Sequence, residues 1–144
     1  ADQEQFSLER IKKSFWNPAH YQKALFPEVK EVLKALQSNY TLGIYSEGFE
    51  IFQKHKLETS NILSFFSPEH TYLLRRKMDP EVIKTLPENT VIIDDRSDVT
   101  EFLRQFSHIR SFQIVRNTEI IPAKNSLNSN TIQISSLRDL LTLL

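Results

Sequence analysis

Cysteine is absent from the 144 residues. That excludes disulfides, thiolate zinc sites and a cysteine nucleophile, and it fits a reducing compartment. Glycine is nearly absent: Gly43 and Gly48 are the only two. Glycine-rich loops that cradle phosphate through bare backbone are therefore excluded. Neither sign of charge is in excess, with 18 Lys plus Arg against 18 Asp plus Glu. Such a balance gives no electrostatic reason to expect nucleic acid or a membrane surface as a partner. Arg75-Arg76-Lys77 and Lys12-Lys13 are short runs that a solvated face explains. No apolar run approaches a membrane span. The first residues carry no signal-peptide pattern, so a cytoplasmic protein is expected. The four histidines (His20, His55, His70 and His108) show no metal-ligand spacing.

What is present suits one soluble domain with a core: 40% of residues are apolar and 25% charged. Phe6, Leu8, Ile11, Phe15 and Trp16 follow a ragged helical spacing, and Asn17-Pro18 reads as an N-cap with proline in the first turn. Residues 5–25 thus read as a small helical hairpin. Its aromatic residues suit core packing better than a cover over a site. After Pro27, the spacing of Val29, Val32, Leu33 and Leu36 predicts an amphipathic helix. A strand over Tyr40–Tyr45, a turn at Ser46-Glu47-Gly48 and a helix over Phe49–Leu57 follow. Asn61–Phe66 reads as a short helix or turn, and His70–Leu74 as a short strand. Asp79-Pro80 repeats the cap-plus-proline signal. A strand at Val91–Ile93, a helix over 98–106 and a strand over Ser111–Val115 come next. Residues 116–129 read as a long polar loop, and Thr131–Ile134 as a last short strand. Ser136 and Asp139 have capping-box spacing before a leucine-rich helix. Alternating strands and helices with short connections predict an α/β fold with a doubly wound, mostly parallel sheet.

The chemistry gathers at three places. Val91, Ile92 and Ile93 form a β-branched run suited to a strand buried on both faces, and Asp94, Asp95 and Asp98 follow it. Ligands of open α/β sheets bind at such strand ends, and clustered oxygens suit a hard cation such as magnesium. Ser46 ends another strand, and Lys77 precedes the helix capped by Asp79. A hydroxyl beside exposed N–H groups suits phosphate oxygens, and a lysine neutralises a transferring group. Each piece has a plainer reading. Ser46 could cap a helix, Lys77 could be a solvated charge, and Asp98 is a natural N-cap. Adjacent Asp94 and Asp95 are harder to explain by packing, because they repel unless a cation or donors stabilise them.

Here the chain resembles the haloacid dehalogenase superfamily. Phe26-Pro27-Glu28-Val29-Lys30-Glu31-Val32-Leu33 followed by Leu42-Gly43-Ile44-Tyr45-Ser46-Glu47-Gly48 is similar to the region of its second motif. Lys77-Met78-Asp79-Pro80 resembles the third, and Val91 to Val99 the acidic fourth. The likeness spans residues 26–144 and implies a Rossmann-like core with flanking helices. Residues 1–25 would then be a small cap-like segment. It implies a magnesium-dependent phosphatase acting on a small phosphorylated molecule. Ser46, Glu47, Gly48 and Lys77 would meet the phosphate, with Ser46 and Lys77 assisting catalysis. Asp94, Asp95 and Asp98 would supply or orient ligands to Mg2+. Either Asp94 with Asp98, or Asp95 alone, takes the main metal position.

One motif of that family is not found. Its nucleophilic aspartate belongs to an Asp-x-Asp after a first strand, and no such pattern occurs here. In the family that strand lies between those of Ser46 and Asp94. The resemblance therefore implies a gap in the sheet and a chain inactive alone. Two accounts stand: a fragment completed by a missing N-terminal segment or another chain, or a degenerate, non-catalytic interaction module. A signalling receiver domain has its acid pair first and its lysine last, the reverse of the order here.

Overall fold

The computed structural model describes residues 8–116 and 132–144. It contains helices and two small sheets, each wholly parallel. A helical pair comes first, α1 (Leu8–Phe15) and α2 (Pro18–Lys23), followed by α3 (Val29–Leu36). Then come β1 (Ile44–Glu47), α4 (Glu50–Thr59), β2 (Thr71–Leu74), α5 (Pro80–Lys84) and β3 (Thr90–Asp94). The chain continues through α6 (Ser97–Leu103), β4 (Ile109–Ile114), β5 (Ile132–Ile134) and α7 (Leu140–Leu143). β1 pairs with β2, and a separate sheet has the order β3-β4-β5. The predicted loop falls, from residue 117 on, outside the described residues.

Local chemistry sets several boundaries. Asn17 Oδ1 accepts from Ala19 N at 3.0 Å, and Asp79 Oδ1 from Glu81 N at 3.0 Å, so both cap-plus-proline signals start helices. Ser136 and Asp139 form the reciprocal capping box over a short 3-10 turn, Leu137–Asp139. β1 begins later than the sequence predicts. Its partner starts at Thr71, after a 3-10 turn at Pro68–His70, so pairing begins with Ile44 opposite Thr71. Asp98 does not cap α6. Arg96 occupies the cap, and Asp98 lies in the first turn, where a negative charge meets the positive helix end.

The core is built on both faces of β3-β4-β5. Ile92 packs with Ile83 of α5, with Val99 and Leu103 of α6, and with Ile109. Val91 and Ile93 pack on the opposite side against a cluster of Phe112, Ile134 and Leu140, which Leu36 of α3 also joins. Strand periodicity is two, so a continuous β-branched run serves both faces. Phe112, wholly buried, contributes about 3 kcal/mol through its transfer from water. Tyr45 of β1 and Tyr72 of β2 reach the first cluster and tie the two-stranded sheet to it.

The helical pair packs on α4. Phe15 stacks on Phe52 with ring centroids 4.9 Å apart, and Trp16 and Tyr21 meet His55 edge-on at 4.6 and 5.4 Å. Among the described residues, no helix is long and apolar enough to cross a membrane.

Candidate functional site

β1 and β3 belong to different sheets and are not paired with each other. Their C-terminal ends are tied through Lys77. Tyr45 OH donates to the Lys77 carbonyl, and Lys77 Nζ forms an ion pair with Asp94 Oδ2. The Lys77 and Asp94 side chains are 14% and 3% exposed, so this pair is withdrawn from water. Such a pair needs good geometry and further donors to offset desolvation. Asp94 has one, because its Oδ1 accepts from Arg96 N at 3.0 Å. Donors thus relieve the repulsion expected of the Asp94-Asp95 doublet at Asp94, while Asp95 is exposed.

Glu47 is a second junction. Its Oε2 accepts from Lys77 N at 2.7 Å and its Oε1 from Arg96 Nη1 at 3.0 Å. The Lys77 N–H, followed by the Arg96 guanidinium, holds the Glu47 carboxyl below its ordinary range. Arg96 also grips Asp98 with two parallel bonds, Nε to Oδ1 at 3.1 Å and Nη2 to Oδ2 at 2.7 Å. This fork holds the Asp98 carboxyl low. The Tyr45 hydroxyl is pushed up to about 12, first by burial and then by the charges of Asp79, Asp94 and Glu47. It stays protonated and keeps donating to Lys77.

Ser46 lies on the strand and caps no helix; Phe49 occupies the cap of α4. Its Oγ donates to Gln53 Oε1 at 3.2 Å, while Gln53 Nε2 donates to the Glu47 carbonyl at 3.0 Å. Gln53 thus binds α4 back onto the end of β1. Gly48 is required there: its φ is +146°, and a Cβ would strike the Gln53 side chain.

The structure therefore brings Glu47, Lys77, Asp94 and Asp98 into one hydrogen-bonded network through Arg96. Ser46 and Gly48 adjoin it through Gln53 and Glu47. The Asp95 carboxylate takes no hydrogen bond among the described residues. Tyr45, Gln53 and Arg96 were not singled out in the sequence. Arg96 had a signal, an arginine inside a run of acids. Gln53 had none, because nothing in a helix of mixed composition marks one polar residue as buried.

Among the described residues, no group of three or more His, Asp or Glu side chains could hold a metal. Asp98 is turned to Arg96, which leaves Asp94 and Asp95. Two carboxylates are nevertheless a sufficient protein contribution for Mg2+, which keeps waters and takes phosphate oxygens. No protein-family model and no curated protein matches the chain.

Proposed function

We propose that this chain is a phosphoryl-transfer domain of the haloacid dehalogenase type, with a Rossmann-like core and residues 1–25 as a small cap. Its chemistry is magnesium-dependent, phosphatase-type transfer from a small phosphorylated molecule. One observation carries the proposal: a largely buried ammonium, Lys77 in the connection between β2 and α5, set against a buried carboxylate, Asp94, at the C-terminal end of β3. In open α/β sheets ligands bind beyond the C-terminal ends of the strands, which is where Asp94 stands. In this arrangement Lys77 neutralises phosphate charge and the Ser46 hydroxyl turns from Gln53 to a phosphate oxygen. The Glu47 to Gly48 backbone would meet the same phosphate. Asp94 and Asp95 would hold Mg2+, which supplies Lewis-acid stabilisation when bound. Among the described residues none is assigned the role of aspartate nucleophile, so hydrolysis would draw on a carboxylate from elsewhere.

Calorimetry with inorganic phosphate and magnesium chloride tests this. Phosphate should bind in the presence of magnesium, weaken about tenfold or more in Lys77→Met, and weaken less in Ser46→Ala. The chain alone should not hydrolyse p-nitrophenyl phosphate. Absence of phosphate binding, or binding indifferent to Lys77→Met, would overturn the proposal.

A second reading has its own support. Arg96 already occupies Asp98 and Glu47, as expected of a network that serves structure. This reading makes the chain a non-catalytic interaction module of the same fold, and it predicts no phosphate binding.

A further inference from the structure

Phe49 and Arg75 stand beside the charged network without belonging to it. Arg75 comes directly after β2, and Phe49 two residues after β1. Glu47 is opposite Leu74 in the register, and Gly48 N donates to the Leu74 carbonyl at 2.8 Å, so both residues leave the sheet from adjoining points. The connection after β2 continues to Lys77, whose N–H Glu47 accepts. The Arg75 guanidinium lies over the Phe49 ring, 4.4 Å from its centroid. That ring is 69% exposed, so apolar burial does not explain an aromatic residue there. What the ring does hold is a cation. A ring face attracts a guanidinium but brings no counter-charge. Stacking uses the plane of the guanidinium and leaves the N–H donors along its edge open to a carboxylate or phosphate. Arg96, Arg104, Arg116 and Arg138 each meet a carboxylate. Among the described residues no carboxylate pairs with Arg75, not even Glu50, which adjoins Phe49 in sequence. The run Arg75-Arg76-Lys77 therefore divides: Lys77 is neutralised by Asp94, while the charges of Arg75 and Arg76 are exposed.

We infer that Arg75, held by Phe49, selects the substrate: a phosphate ester whose leaving group carries a second oxyanion, either a carboxylate or a further phosphate. The inference rests on the phosphoryl-transfer reading, which places the first phosphate at Ser46 and Lys77. Arg75 is a specificity-determining residue in this scheme and acts on the part of the substrate that does not react. The Phe49 ring restricts a long side chain before the anion arrives, so less rotamer freedom is lost on binding. Arg110 provides a comparison within the molecule. Its guanidinium also lies over a ring, that of Phe112, at 4.8 Å. It stands opposite Val91, near the start of β3 and away from Asp94, so it takes no part in the selection.

The test compares phosphate esters of one scaffold by calorimetry in magnesium chloride. Glycerol phosphate, phosphoglycerate and glycerol bisphosphate share a three-carbon chain phosphorylated at one end, and the far end carries a hydroxyl, a carboxylate or a second phosphate. Sorbitol phosphate against phosphogluconate repeats the first two at a longer reach. At least one of the oxyanion-bearing esters should bind about fivefold more tightly than its hydroxyl counterpart, the size expected of a well-formed exposed pair. The tighter of carboxylate and second phosphate then identifies the group that Arg75 meets. Arg75→Gln should abolish the preference and leave the affinity for inorganic phosphate unchanged, which also shows that the variant is folded. Phe49→Leu should reduce the preference, because the guanidinium loses its ring. Arg110→Gln should leave it intact, and added salt should shrink it. Phosphate binding with no preference for a second oxyanion would overturn this inference alone. So would a preference that survives Arg75→Gln or falls equally in Arg110→Gln. Failure of every phosphate to bind would overturn the phosphoryl-transfer reading and this inference with it.

Discussion

The two sheets are built from the same kinds of residue, yet they are held differently. Every strand of β3-β4-β5 contains at least one buried residue, whereas all four residues of β1 and all four of β2 are only half-buried. The three-stranded sheet is covered by helices on both faces and is stabilised mainly by apolar burial. The two-stranded sheet leans on it through two tyrosines and a set of polar bonds at one end. A sheet held that way keeps β1 paired only with β2 among the described residues.

The comparison breaks if core truncations cost the same on both sides. Phe112→Ala should cost about 4 kcal/mol, the usual range for a wholly buried aromatic. Ile44→Ala in half-buried β1 should cost about 1.5 kcal/mol, because part of the side chain is already in water. Urea unfolding followed by circular dichroism measures both. Equal losses would mean that the two sheets share one core.

A smaller effect is expected at the polar joint. Lys77→Met leaves Asp94 buried and unpaired and should cost about 3 kcal/mol. Adding Asp94→Asn should recover most of that loss, because the stranded charge disappears with it. A double variant as unstable as the single one would show that Lys77 contributes through packing, and the joint would be apolar after all.

The strands of both sheets were legible in the sequence, but the alternation of strands and helices predicted one mostly parallel sheet where two are found, and only the resemblance implied a gap in it. Val91-Ile92-Ile93 announced a strand covered twice, and Asp79-Pro80 and Ser136 with Asp139 announced their helix starts, because strand burial and helix caps are local effects. Ser46 and Asp94 could be placed near the ends of their strands, and Lys77 before the helix of Asp79, from the order of elements alone. The partnership of Arg96 with Glu47 could not be, since it joins residues 49 apart in sequence. Nor could the partner of Asp98, where the helix-cap reading gave way to a first-turn position and a bidentate bond with a neighbour two residues away. Gln53 was beyond reach for the same reason: its partners lie on β1, and burial depends on tertiary packing.

The smallest effect concerns pH and sharpens the comparison at its weakest link. Glu47 joins β1 to Lys77 and Arg96, and those donors lower its carboxyl from an ordinary value of 4.5. A carboxyl lowered by folding stabilises the native state above its unfolded value and loses that contribution as pH falls through the folded value. The difference in Tm between the native chain and Glu47→Gln should therefore be largest near neutral pH and shrink below about pH 4.5. Added salt should shrink it too, because Glu47 and Arg96 are partly exposed and screened. The acid limb should be steeper in the native chain than in the variant. A difference that stays constant from pH 7 to pH 3 would show that the Glu47 charge contributes nothing to the joint, leaving Tyr45, Tyr72 and the Lys77–Asp94 pair to hold the two sheets together.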